Sequence, residues 1–191
     1  MKYAFITALL ALTLSSCKQD YTPKRKGYPR VDFPEKAYTQ YSGDCPFTFD
    51  YPVYATVVRD SGVNAEPCWL NMNFTDFNAT LHLTYKPVKD EDGLAELEKQ
   101  STKYAYEHSI KAQDITPQMI DDTAKNMYIT TFNLSGETAT SFRFFATDNK
   151  QHFLDGAFYF NTRTNIDSIA PVQQFIIQDL ERMLETLQWK K

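Results

Sequence analysis

The sequence predicts an α+β domain in which a mainly antiparallel sheet is flanked by helices. Several segments alternate apolar and polar residues and are separated by short polar turns, which is typical of hairpin-linked strands. Two longer segments repeat their apolar residues every three or four positions, which indicates amphipathic helices. One helix falls between two groups of strands and the other follows the second group, the order expected of an α+β domain.

The first group contains three predicted strands, over residues 47–58, 68–74 and 80–85. The first of them is broken near Pro52, because proline cannot donate to a strand ladder. Residues 76–78 supply the turn before the third strand. Leu81 and Leu83 share one face of that strand, so His82 faces the other way.

The first predicted helix covers residues 91–109, with one face formed by Leu94, Leu97, Ser101, Tyr104, Ala105 and His108. A short turn or helix is expected around residues 117–124. Three further strands are predicted over residues 126–134, 138–147 and 151–160. The last helix spans about residues 168–188, with Pro171 in its first turn, where a missing N–H is harmless.

This order of elements is similar to the PsbP/Mog1-like α-β-α sandwich, which implies helices on both faces of the sheet. The predicted organisation has three parts: a signal peptide over residues 1–16, an extended tether over 17–44 and a single α+β domain over 45–191. Composition agrees with one globular domain, since 42% of the 191 residues are hydrophobic and 23% are charged. These values exclude a disordered, collagen-like or polytopic membrane chain.

The amino terminus has the pattern of an export signal. Lys2 precedes an uncharged stretch over residues 3–14, which as a helix covers about 18 Å and is too short for a ~30 Å hydrocarbon core. Leu14-Ser15-Ser16-Cys17 resembles a bacterial lipobox. That resemblance implies cleavage before Cys17 and acylation of its thiol, with palmitate among the acyl chains, so that lipid anchors the mature chain to a membrane. The alternative is an ordinary secretory signal.

The tether over residues 17–44 shows no helical or strand period, and its prolines hold it extended. Residues 17–36 contain six cationic and three acidic side chains. This excess of positive charge favours contact with an anionic lipid surface. The alternative is a solvated linker. A plain linker would not carry five aromatic residues, so the tether is expected to lie over the domain surface or against a partner. Its predicted partner-binding residues are Tyr21, Tyr28 and Arg30.

Two cysteines remain after the lipidation site has been assigned. An even pair in an exported chain predicts a disulfide between Cys45 and Cys68, because the periplasm is oxidising. The alternative is a pair of buried free thiols. A catalytic thiol is disfavoured, because Cys68 begins an apolar strand.

No catalytic residue, metal site or cofactor is predicted. His82, His108 and His152 lack zinc-ligand spacing, and no nucleophile elbow, P-loop or dinucleotide fingerprint is present. An envelope enzyme that uses His82 or His152 with an acid is one alternative. Asp122-Thr123-Ala124 and Asp167-Ser168-Ile169 resemble the O-glycosylation acceptor of Bacteroidota, which implies modification at Thr123 and Ser168; Ser168 equally suits a helix N-cap.

A family resemblance is carried by strings between residues 21 and 86: Tyr21-Thr-Pro-Lys, Gly27-Tyr28-Pro-Arg30, Phe33-Pro34, Cys45-Pro46-Phe47-Thr48-Phe49, Tyr51-Pro52-Val53-Tyr54-Ala55, Cys68-Trp69-Leu70-Asn71 and Asn78 to Lys86. Together they resemble the gliding-motility lipoprotein GldD family of Bacteroidota. The resemblance implies a periplasm-facing cell-envelope lipoprotein needed for gliding motility and type IX protein secretion. It implies a non-catalytic assembly component whose partners are the membrane and other envelope proteins. Nucleic acid is not expected as a partner, because acids outnumber cations over residues 37–191.

One further alternative for the function is a lipid-anchored periplasmic ligand-binding module. In that case aromatic residues on the sheet line a pocket, with Phe142, Phe144, Phe158 and Tyr159 as the candidates. A deep apolar cavity would favour this alternative, and a solid core would remove it.

Overall fold

The computed structural model describes residues 30–107, 112–136, 140–161 and 166–190. Along the chain its strands and helices are β1 (Tyr38–Tyr41), β2 (Phe47–Pro52), β3 (Thr56–Arg59), β4 (Leu70–Phe74), β5 (Ala79–Pro87), α1 (Glu91–Glu107), β6 (Ala112–Asp122), β7 (Met127–Gly136), β8 (Thr140–Thr147), β9 (His152–Phe160), α2 (Ile166–Thr186) and β10 (Gln188–Trp189). A 3-10 turn over Thr75–Phe77 connects β4 to β5.

Seven strands form the main sheet, in the order β3-β4-β5-β9-β8-β7-β6, and every neighbouring pair is antiparallel. A smaller antiparallel sheet has the order β1-β2-β10. The prediction of a mainly antiparallel α+β domain is therefore confirmed. The central pair is β5 with β9, which brings the first group of strands against the second.

One face of the main sheet packs against α2 and the small sheet. Its core is formed by alternate residues of the strands together with the apolar stripe of α2; the largest contributors include Phe47, Met72, Leu81, Phe144, Phe158, Ile176 and Leu180. Each fully buried side chain of this size contributes roughly 1.5–3 kcal/mol by leaving water. This burial fixes which face of each strand points away from α2.

The opposite face packs against α1. Leu94, Leu97 and Ala105 of the helix meet Phe145 and Phe153 of the sheet. The helices therefore lie on opposite faces, as the predicted α-β-α sandwich requires. His108, assigned to the same helix face, lies outside the described residues.

The turn or helix expected around residues 117–124 is wrong for most of its length. Residues 117–122 belong to β6, which pairs with β7 in a register that sets Pro117 opposite Phe132, and only residues 123–124 lie in a turn. Proline is tolerated because β6 is an edge strand, where an N–H directed away from the neighbouring strand is not needed. The position of β6 in the sheet, rather than its local sequence, decides its conformation.

Helix α2 also differs from its prediction at both ends. It begins at Ile166, so Pro171 lies in the second turn rather than the first and removes one intrahelical hydrogen bond. It ends at Thr186, and the next residues form β10, which pairs with β2. The short strand closes the small sheet over the core.

The described part of the predicted tether lies on the domain, as expected. We call residues 30–41 the strap. Phe33 stacks on Phe175 of α2 with ring centroids 4.4 Å apart, and Tyr41 stacks on Phe49 at 5.1 Å. Residues 38–41 form β1, a strand that was not predicted.

Candidate functional site

A cleft of about 530 Å³ opens beside α1, between that helix and strands β5 and β9. Successive side chains of a strand point to opposite faces of the sheet, and this alternation determines which residues line the cleft. Because Leu81 and Leu83 point into the α2-side core, His82, Thr84 and Lys86 point towards the cleft.

The floor of the cleft carries a charged pair. Nη2 of Arg143 lies 3.0 Å from Oδ1 of Asp155, and the Ser101 hydroxyl donates a second hydrogen bond to the same carboxylate. The Arg143 and Asp155 side chains are 6% and 18% exposed. Burial raises the pKa of Asp155, while the Arg143 charge opposes that shift. The Nε–H of Arg143 is buried without a partner among the described residues.

His82 stands on the sheet wall of the cleft. Its Nδ1 lies 2.7 Å from Oδ1 of Asn71. Its ring packs at a steep angle against the Tyr159 ring, with the ring centroids 5.7 Å apart. Burial lowers the pKa of His82, which favours the neutral form of the imidazole. It offers hydrogen bonds rather than charge.

Aromatic side chains and one further cation complete the walls. Tyr104 of α1 lies over Arg143, with the guanidinium carbon 5.7 Å from the ring centroid. Trp69 lines the cleft, and its indole N–H donates a hydrogen bond of 3.2 Å to the carbonyl oxygen of Tyr85. Lys86 forms no ion pair in the part of the chain that the structure describes. The cleft therefore has an aromatic wall and a positive bias.

A second polar cluster lies under the strap and centres on Asp179, which is fully buried. Tyr38 donates to its Oδ1 at 2.7 Å, Tyr54 donates to its Oδ2, and Lys36 Nζ lies 2.7 Å from Oδ2. Lys36 Nζ also lies 3.4 Å from the centroid of the Phe175 ring. We call these four polar residues the Asp179 latch, because they join the strap and the loop after β2 to helix α2.

The latch raises the pKa of both tyrosines. Burial is the main cause and raises the pKa of Tyr38 to about 12, with the hydrogen bond to Asp179 adding to the effect. The pKa of Tyr54 is raised further, for the same two reasons. This cluster was not predicted from the sequence. The available signal was an acid, Asp179, inside the apolar stripe of the last helix.

The two histidines considered for catalysis lie on opposite faces of the sheet. His82 faces the cleft, whereas His152 hydrogen-bonds to the Tyr85 hydroxyl at 2.8 Å and stacks on Trp189 at 4.9 Å. His82 and Asp155 share the cleft, but no hydrogen bond between them is found among the described residues. Asp155 is instead occupied by Ser101 and Arg143.

The disulfide between Cys45 and Cys68 is present, with Cα atoms 5.4 Å apart. It joins the segment before β2 to the segment before β4. Cys45 is fully buried, and the Tyr41 hydroxyl lies 3.3 Å from its sulfur. The strap, the small sheet and the main sheet thus meet at this crosslink.

The remaining predicted site residues are placed only in part. Cys17, Tyr21 and Tyr28 lie outside the described residues. Arg30 is exposed and lies 3.4 Å from Asp32. Thr123 is exposed in the turn between β6 and β7, and Ser168 falls in α2, where its side chain is not described. Their proposed roles stay predictions.

Within the described ranges, no helix is long and apolar enough to cross a membrane. The same ranges hold no group of three or more histidine, cysteine, aspartate or glutamate side chains positioned to bind a metal ion.

The layers and strand order define a PsbP-like α-β-α sandwich. Its fold is similar to the solution structure of cyanobacterial PsbP (CyanoP) from Synechocystis sp. PCC 6803, with 11% identity and a TM-score of 0.50 over 84% of this chain and 97% of that one. None of the curated proteins matches the sequence. A family model described as gliding motility lipoprotein GldD matches residues 18–189, and the chain belongs to that family. Membership makes it a membrane-anchored envelope protein.

Proposed function

We propose that this protein is a non-catalytic component of the machinery for gliding motility and type IX protein secretion. Lipid on Cys17 anchors it, its body faces the periplasm, and it acts by contacting other envelope proteins. The observation that carries the proposal is the family match, which begins at residue 18, directly after Cys17, and continues to residue 189. The family model thus covers nearly all of the chain that follows Cys17.

The strap supports a role close to the membrane. Because residues 30–41 lie on the body, only residues 18–29 separate the anchor from it. In a polyproline II conformation, at ~3.1 Å per residue, those residues reach about 37 Å. The point where the strap joins the body therefore lies within that distance of the lipid surface, which supports partners that are in or near the membrane.

The cleft supports binding rather than catalysis. Its serine, Ser101, is hydrogen-bonded to Asp155, and its histidine, His82, is bonded to Asn71. A nucleophile needs a base within hydrogen-bond reach, and this pairing directs Ser101 to a carboxylate that Arg143 already neutralises.

The proposal is tested by complementing a gene deletion with three versions of the protein. The wild-type gene is expected to restore spreading and secretion of type IX cargo, and the C17A version is not. A third version with Tyr21→Ser, Tyr28→Ser and Arg30→Ser keeps the anchor and removes the predicted partner contacts, and it is expected to impair both. Crosslinking and pull-down from envelope membranes then identify the partner.

The outcomes separate the parts of the proposal. Normal secretion in the deletion strain would contradict the secretion role. Full activity of the C17A version would contradict the anchor. Full activity of the triple-serine version would contradict the predicted docking residues.

A second candidate function is a lipid-anchored ligand-binding module, and the cleft of about 530 Å³ favours it. The aromatic residues that the sequence assigned to a pocket divide between two faces. Phe142, Phe144 and Phe158 are buried in the α2-side core, and Tyr159 lines the cleft. The predicted pocket around Phe142, Phe144 and Phe158 is therefore wrong, because these rings fill the core, and this second candidate function depends on the cleft on the α1 side of the sheet instead.

A further inference from the structure

We propose that the cleft beside α1 binds a single carboxylate carried on a small apolar or aromatic body. The proposal rests on the second candidate function, ligand binding, and specifies its chemistry.

The charges of the cleft favour an anion. Each oxygen of the Asp155 carboxylate already accepts a hydrogen bond, one from Ser101 and one from Arg143. Donors remain in excess, because Lys86 forms no direct ion pair among the described residues, although its charge acts on Asp155 across the cleft, and the Arg143 Nε–H is buried unpaired. Arg143 and Lys86 therefore favour an anionic ligand, and a carboxylate forms strong charge-assisted hydrogen bonds with guanidinium and ammonium groups.

The number of charges favours one negative charge over two. Arg143 and Lys86 are opposed by Asp155, which leaves a net charge of one positive unit while Asp155 is ionised. A carboxylate balances that unit. A phosphate dianion would leave a surplus negative charge near Asp155, and a neutral sugar would leave Lys86 desolvated without a counter-ion.

The walls favour a flat or apolar body behind the carboxylate. Trp69, Tyr104 and Tyr159 present rings to the cleft, and Leu97 and Phe153 add aliphatic and aromatic surface. Ligand sites of this kind commonly measure ~300–1,000 Å³ and combine apolar walls with a few polar groups. The cleft volume of about 530 Å³ lies in that range.

Two sources present this chemistry: a free small acid and the carboxyl terminus of a polypeptide. Phenylacetate serves as the probe for the free acid and N-acetyl-phenylalanine as the probe for the terminus. N-acetyl-phenylalanine amide keeps the apolar body and removes the charge. Each probe is titrated into the isotope-labelled mature protein, and the NMR signals of the Trp69 indole N–H and the Tyr159 amide are followed.

The expected result is saturable shifts of both signals with the acids and affinity lower by about tenfold or more for the amide. The source of the natural ligand is the one represented by the tighter acid. Lys86→Met is expected to weaken acid binding by about tenfold. Lys89→Met is the matched control, because Lys89 is exposed and does not line the cleft, and it is expected to bind like the wild type.

Lys86 is chosen over Arg143 because Arg143 is buried and its loss would unfold part of the site. Unchanged melting of the Lys86→Met protein shows that the fold is intact. Equal binding of acid and amide, or an unaffected Lys86→Met variant, would overturn the carboxylate proposal and leave ligand binding standing. If none of the three probes shifts the signals at concentrations up to about 10 mM, any dissociation constant is larger than that of most specific sites. That result would overturn the carboxylate proposal. Shifts caused by methyl glucoside would then keep ligand binding standing, and their absence would count against it.

Discussion

The hydroxyl of Tyr38 donates a hydrogen bond of 2.7 Å to Oδ1 of Asp179, joining two residues that are 141 positions apart. Tyr38 belongs to the strap on the amino-terminal side of the body, and Asp179 belongs to the helix that covers the core. Because Lys36 also pairs with this buried carboxylate, the junction between strap and body is held by charge as well as hydrogen bonds. The latch thus sets where the chain leaves the folded body.

Asp179→Ala is expected to lower the free energy of unfolding by about 3 kcal/mol, because it removes the charge partner of Lys36 and the acceptor of the Tyr38 and Tyr54 hydroxyls, while Lys36 keeps only the Phe175 carbonyl oxygen. Urea unfolding followed by tryptophan fluorescence measures the change. Asp121→Ala is the control, since Asp121 is exposed on the edge strand and its loss is expected to cost less than about 0.5 kcal/mol. Equal effects of the two substitutions would contradict the latch.

Alkaline pH is expected to weaken the fold through the latch. Burial raises the pKa of Tyr38 from 10.0 to about 12, so the unfolded chain releases this proton first and stability falls as pH rises from about 10 towards 12. Urea midpoints measured at several pH values from 9 upwards give the slope. Tyr38→Phe is expected to reduce that slope. Tyr128→Phe, at a half-buried position on β7, is expected to keep it, and equal slopes for both variants would refute the assignment.

Removing the crosslink is expected to destabilise the protein by about 3 kcal/mol, the loop-closure value for a sequence separation of 23 residues. The comparison is between the wild type and a Cys45→Ala/Cys68→Ala variant, each unfolded with and without reductant. Reductant is expected to lower the stability of the wild type and leave the double variant unchanged. A wild type that is indifferent to reductant would show that the crosslink contributes nothing.

Gly156→Ala is expected to cost about 1–3 kcal/mol by overpacking the core. An added Cβ would lie 2.1 Å from Cε1 of Phe144, the residue opposite Gly156 in the ladder between β8 and β9. Combining Gly156→Ala with Phe144→Leu is expected to recover part of the loss, which a double-mutant cycle measures. At Gly62 the nearest atom is 3.4 Å from the added carbon, so Gly62→Ala serves as the control.

Much of the fold could be predicted, because local patterns are strong wherever an element has one buried face. Leu81 and Leu83 alternate with polar neighbours, and that alternation located β5 and placed His82 on the opposite face. The stripe of the last helix was equally clear. The segment around Pro117 was missed because a proline disfavours a central strand, and only the finished sheet reveals that β6 is at its edge.

The candidate sites were less predictable, because each is assembled from distant parts of the chain. Ser101 and Asp155 are 54 residues apart, and Lys36 approaches Asp179 from the far end of the sequence. A polar residue in an apolar stripe shows that a partner must exist, since a buried charge is not tolerated alone. It does not show which residue the partner is.

By itself, the sequence determined which face of each helix and strand is buried, because periodicity and hydrophobicity act within a few neighbouring residues. It also determined the cysteine pair and, through its short strings, the family. The tertiary structure alone decided the strand order, the helix that covers each face and therefore the meeting of Arg143 with Asp155 and of Tyr38 with Asp179. Those contacts depend on how whole elements pack, and no local pattern records that arrangement.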